Sequence, residues 1–68
     1  MYKVIVTDYS SGRMGFVSSV ILNTKGALFQ LEDDKNKAMS FDDYNICHDF
    51  KDFLEARFDI KVEIVVRD

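Results

Sequence analysis

The sequence predicts a small α+β protein, mainly β: an antiparallel sheet of four to five strands, open or closed into a barrel, with one amphipathic helix, in the order β-β-β-β-α-β. Three observations predict it. Apolar residues alternate with period two near both ends, in "YKVIVT" and "IKVEIVV". A run rich in β-branched and aromatic residues, "GFVSSVIL", is followed by "NTKG" and "ALFQLE", which outlines a hairpin. Between Tyr44 and Phe58 the apolar spacing changes to three and four, the period of a helix.

Along the chain, Tyr2, Val4 and Val6 alternate with Lys3, Ile5 and Thr7, which predicts the first strand. "DYSSG" ends it with turn residues. The second strand spans Gly15 to Leu22, and Gly26 can take positive φ at the end of a loop over residues 23–26. This loop sets Leu22 opposite Ala27, Val20 opposite Phe29 and Ser18 opposite Leu31. Val20, Leu22, Phe29 and Leu31 then share a face, as a buried face requires. Val17, Ile21 and Leu28 fall on the other face, which is apolar enough to need a cover.

The segment "DDKNKAMSF" has two readings. In the preferred one, Asp34-Lys35-Asn36 is a three-residue hairpin loop with Asn36 left-handed. Met39 then faces Leu31, Phe41 faces Phe29, and Lys37 to Phe41 is a fourth strand. In the other, the helix starts early, with Ser40 as cap and Asp43 completing a box-like pair. The helix itself is predicted to present Ile46, Phe50, Phe53, Leu54 and Phe58 to the core. Asp42, Asp43 or Asn45 can cap it, and Arg57 near its end suits the macrodipole. A closing strand buries Ile60, Val62, Ile64 and Val66 on one face.

A 68-residue chain is one domain. At this size only ~60% of the unfolded surface is buried, so the core is small. The single cysteine, Cys47, excludes an internal disulfide and suggests a reducing compartment; no targeting or membrane-spanning segment is visible, so the expectation is a cytoplasmic protein. Six Phe and three Tyr must supply the cohesion.

The stretches "GRMGFVSSVI", "ALFQLEDD" and "KAMSFDDYNI" resemble the meander of small SH3-like barrels of the KOW and related kinds. Gly12, Gly15, Val17, Phe29, Leu31, Asp33, Phe41 and Ile46 carry the likeness, over roughly half the chain. The resemblance implies barrel closure. A helix of about three turns replaces the short turn of such barrels, so an open sheet with the helix on one face remains the alternative. Either fold hosts many functions.

The residues offer little chemistry. Cys47 and His48 are adjacent, and helix neighbours point ~100° apart, so they cannot form a nucleophile–base pair. Cys47 is expected in the core and His48 on the surface, where it can meet Asp52 one turn on. No zinc ligand set is present. Asp33, Asp34 and Asn36 lack the spacing, glycine and terminal glutamate of a calcium loop. "GRMG", Gly12 to Gly15, has the letters of the KH-domain RNA loop but is flanked by strands, so a β-turn with Arg13 at its tip is expected. Paired carboxylates as acid and base would need a cleft that so small a domain has little room to build. The expectation is a protein that is not an enzyme, with no metal and no cofactor.

The charge is uneven. Residues 32–55 carry eight acidic and three basic side chains, while the net charge of the whole chain is −3. Solubility and turn chemistry alone could account for this. The functional expectation is an acidic surface of Asp33, Asp34, Asp42, Asp43, Asp49, Asp52 and Glu55, with Tyr44, that docks a basic site on a partner protein. Carboxylates spaced like backbone phosphates would suit an inhibitor of a nucleic-acid enzyme, of phage or mobile-element type by analogy. Direct nucleic-acid binding is disfavoured, because the acid would repel phosphates. The alternative is an SH3-like nucleic-acid or ribosome-associated module using Arg13, Lys25, Lys61 and Arg67 with Tyr2 or Tyr9. A third is a homodimer through an edge strand, for which the last strand around Val65 is the candidate.

Overall fold

The computed structural model describes residues 1–24 and 26–67, without the side chains of residues 23 and 27. Four strands form one antiparallel sheet: β1 (Tyr2–Asp8), β2 (Arg13–Asn23), β3 (Gly26–Glu32) and β4 (Ile60–Val66), in the spatial order β3-β2-β1-β4. The helix α1 (Tyr44–Arg57) precedes β4 and packs against β1 and β4. The fold is α+β and mainly β, and the sheet is open, with β3 and β4 at its edges.

Each element follows from its residues. In β1, Val4 and Val6 are buried and pair directly with Ile64 and Val62 of β4, so the two alternating strands bury one common face. At the β1–β2 turn, Asp8 receives the hydroxyls of Ser10 and Ser11, and Gly12 supplies a φ of 72°. At the β2–β3 tip, Leu22↔Ala27 and Val20↔Phe29 pair as expected, and pairing extends to Asn23↔Gly26.

The register then departs from the simple pattern. A bulge between Val17 and Ser19 sets Val17, not Ser18, opposite Leu31. The extra residue returns Val17 to the core face, where it is fully buried. Strict alternation had placed it on the opposite face with Ile21 and Leu28. The bulge lets the small polar Ser18 stand aside, its hydroxyl donating to the Gln30 carbonyl at 3.2 Å.

Residues 37–41 do not form a hairpin with β3. Lys35–Lys37 is a 3₁₀ turn capped by Asp34, whose carboxylate accepts the Asn36 N–H at 2.8 Å. The following segment is extended and fills the gap where β1 and β2 separate beyond Ile5↔Phe16. Met39 N–H donates to the Val17 carbonyl at 2.9 Å, and Phe41 bridges Tyr2 in both directions at 2.8 and 2.9 Å. Met39 and Phe41 thus face β2 and β1 rather than Leu31 and Phe29. Both remain apolar partners of the core, which is why a correct apolar phase accompanied an incorrect strand partner.

The core comprises Val4, Val6, Val17, Cys47, Leu54 and Val62, with a surrounding layer that includes Phe29, Phe41, Phe50, Phe53 and Phe58. Cys47 is buried, as expected, whereas Ile46, expected in the core, is 58% exposed because the helix is rotated away from the setting its apolar period suggested. Lys3, on the face opposite Val4, is nonetheless buried, and its ammonium donates to the Lys35 carbonyl of the 3₁₀ turn. That turn therefore covers part of the outer sheet face. Ile21 and Leu28, paired across β2 and β3, stay exposed on the same face, as does Leu22 on the other.

Candidate functional site

The acidic residues of the middle segment divide by what they touch. Asp43 is the helix N-cap; one of its oxygens accepts the Asn45 N–H at 2.8 Å, as Asp34 does for Asn36. Each retains a second carboxylate oxygen toward solvent. The helix thus takes Asp43, one of the expected caps, rather than Ser40 as its cap.

Glu55 is exposed and ion-paired. It pairs with Lys51 one turn earlier at 2.7 Å, which is the main reason its pKa is lowered and that of Lys51 raised. The backbone N–H of Val62 on β4 adds a smaller stabilisation of the same carboxylate. The side chain is exposed, with its charge partly compensated by Lys51.

Asp42, Asp49 and Asp52 are exposed. A turn of 100° per residue sets Asn45, Asp49 and Asp52 along one stripe of α1, and Asp42 lies in the bend just before the N-cap Asp43. Asp52 meets His48 Nδ1 at 3.3 Å; no lysine or arginine pairs with the stripe among the described residues. His48, Asp49 and Asp52 offer ligand atoms within 4.8 Å of one another, all at the surface. Tyr44 is half exposed at the head of this stripe, held edge-on against Tyr2 with ring centroids 5.4 Å apart. Ile46 is exposed on the other flank. Asp33 is exposed at the end of β3, away from the helix in the chain and joined to it by no described contact.

Cys47 and His48 do not converge. The thiol is buried, and burial pushes its pKa up, which makes it a poor nucleophile. Among the cations considered for a nucleic-acid surface, Arg13 is exposed at the start of β2, Lys61 pairs with Glu63 at 3.4 Å, and Arg67 bonds the Val66 carbonyl. Lys25 lies outside the described residues. Tyr9 is exposed, and Tyr2 is engaged by Tyr44. Arg57 lies over the Phe53 ring at 4.9 Å. The sequence had not indicated Ile46 as a surface residue; its place in the apolar period concealed it.

Comparison with known protein families, curated proteins and solved structures finds no match for this chain.

Proposed function

We propose that this protein acts by binding, through the acidic face at the start and outer side of α1, to a basic site on a partner protein. The carrying observation is that Asp49 and Asp52 on one stripe of α1, and Asp42 just before its N-cap, are exposed and without a lysine or arginine partner among the described residues. Unneutralised carboxylates along a helix and at its start attract a cationic surface and speed its encounter. Tyr44, braced by Tyr2, and Ile46 provide apolar contact beside the charge. Asp43 adds its free oxygen. A row of carboxylates on a helix also competes for sites that receive phosphates, so a nucleic-acid-binding protein is the favoured kind of partner.

Neutralising Asp42, Asp43, Asp49 and Asp52 to asparagine tests this. Asparagine caps a helix about as well as aspartate, so the helix start is kept and only charge is lost. The expected result is binding of basic nucleic-acid-binding proteins by the unaltered chain, displaced by duplex DNA and by salt, and lost in the asparagine variant at an unchanged melting temperature. Equal binding by both chains removes the proposal.

A further inference from the structure

One open edge of the sheet matches itself. Within β4, residues 60–64 read Ile-Lys-Val-Glu-Ile. Read backwards, the apolar residues fall in the same places and the two charges exchange sign. An antiparallel partner with the same sequence therefore meets this stretch with apolar opposite apolar and acid opposite base. No described hydrogen bond reaches Ile60, Val62 or Ile64 from outside the sheet. The helix α1 packs against β1 as well as β4, on the face of Val4, Val6 and Val62, so it covers a face of the sheet and not this edge.

We propose that β4 pairs antiparallel with β4 of a second copy of this chain, about a two-fold axis at Val62. The backbone is set for it. The Arg67 N–H donates to the Met1 carbonyl at 3.1 Å, so alternation makes Lys3↔Val65, Ile5↔Glu63 and Thr7↔Lys61 the hydrogen-bonded pairs with β1. Ile60, Val62 and Ile64 therefore turn their N–H and C=O groups to the open edge. Centring on Val62 pairs Val62 with its own copy, and Ile60 with Ile64 in both directions. Between these hydrogen-bonded pairs, Lys61 of each chain stands directly opposite Glu63 of the other, at the pairs where side chains lie closest.

Charge selects this register from those the strand allows. Centring on Lys61 or Glu63 sets like charges against each other. Centring on Ile64 sets Glu63 against Val65, and centring nearer either end of β4 pairs three residues or fewer. Lys61 and Glu63 are both exposed and already meet at 3.4 Å within the chain. The two-fold gives each of them a second partner of opposite sign, which closes an alternating ring of four charges. Glu55 gains slightly from the Val62 N–H but takes its hydrogen bond from Lys51, so it can yield that N–H to a paired strand. The backbone supplies the attraction, and the ring of charges chooses the partner and the register.

Sedimentation velocity at about 100 µM, a range in which weak pairs are still populated, reads the result directly. The expected mass is twice the 7.9 kDa of one chain. Lys61→Glu and Glu63→Lys, both at exposed positions that leave the fold intact, each set like charges across the axis. Each is expected to weaken the dimer about tenfold or more. Mixing the two single variants sets acid opposite base again and restores a dimer, as does the double variant Lys61→Glu/Glu63→Lys. A wild-type monomer at that concentration overturns the proposal. So does an undiminished dimer in either single variant, or a mixture no more associated than its components. The asparagine variant of the helix face stays dimeric, which separates this surface from the acidic one; loss of the dimer there would place the contact on the helix and overturn the β4 pairing.

Discussion

The ring of Phe29, on β3, meets the ring of Phe58, just after α1, edge to face at 83° with centroids 4.7 Å apart. β3 has no backbone pairing with β4 or the helix, so this contact is where the β2–β3 hairpin closes over the helix C-terminus.

Truncating either ring should therefore loosen the hairpin as a unit. Phe58→Ala is expected to cost about 2 kcal/mol, below the usual range for a fully buried Phe because the side chain is only half buried. A double-mutant cycle with Phe29→Ala, read by urea unfolding, should give a coupling of about 1 kcal/mol. Simple additivity of the two losses would show that the rings do not support each other.

Glu55 should make stability depend on pH in a defined direction. Its carboxyl is held below the ordinary value of 4.5, chiefly by Lys51. The unfolded chain therefore binds this proton more readily than the native one. The contribution is present above 4.5 and is lost as pH falls through the lower native pKa. Melting temperatures of wild type and Glu55→Gln should differ at neutral pH and converge in acid. A gap that is unchanged in acid would contradict the assignment.

Cys47 should be silent toward thiol reagents until the protein unfolds. It is fully buried, and its raised pKa keeps the thiolate scarce near neutrality. Labelling with a thiol-specific chromophore should follow the unfolding curve in denaturant. Cys47→Ser, which buries a hydroxyl in this apolar place, is expected to cost about 2 kcal/mol.

Two glycines should fail for different reasons when changed to alanine. A Cβ at Gly15 would stand 3.0 Å from the Glu32 carbonyl oxygen and 3.3 Å from Leu31 Cβ, so β3 would have to shift. Gly15→Ala is expected to cost about 2 kcal/mol by overpacking. Gly12 has open space but a φ of 72°, so Gly12→Ala should cost about 1 kcal/mol from the backbone alone. Asparagine, which tolerates that φ, should be milder than alanine at position 12 and no better at position 15; equal effects at both sites would count against this distinction.

What the sequence determined by itself was each element whose signal is local. The alternation of Val4 and Val6, the period of Phe50 and Leu54, and the glycine-closed turn before Ala27 all act within a few residues, and each appears where its pattern lies. The acid-rich character of α1 was legible for the same reason. Tertiary structure decided what depends on partners distant in the chain. Whether residues 37–41 pair with β3 or fill the gap between β1 and β2 turns on hydrogen bonds to Val17 and Tyr2, which no short-range pattern encodes. The face taken by Val17 turns on one inserted residue, and the exposure of Ile46 on the rotation of a packed helix. Alternation and helical period say which residues can share a face. Only the closing of the chain on itself says which of those faces is covered.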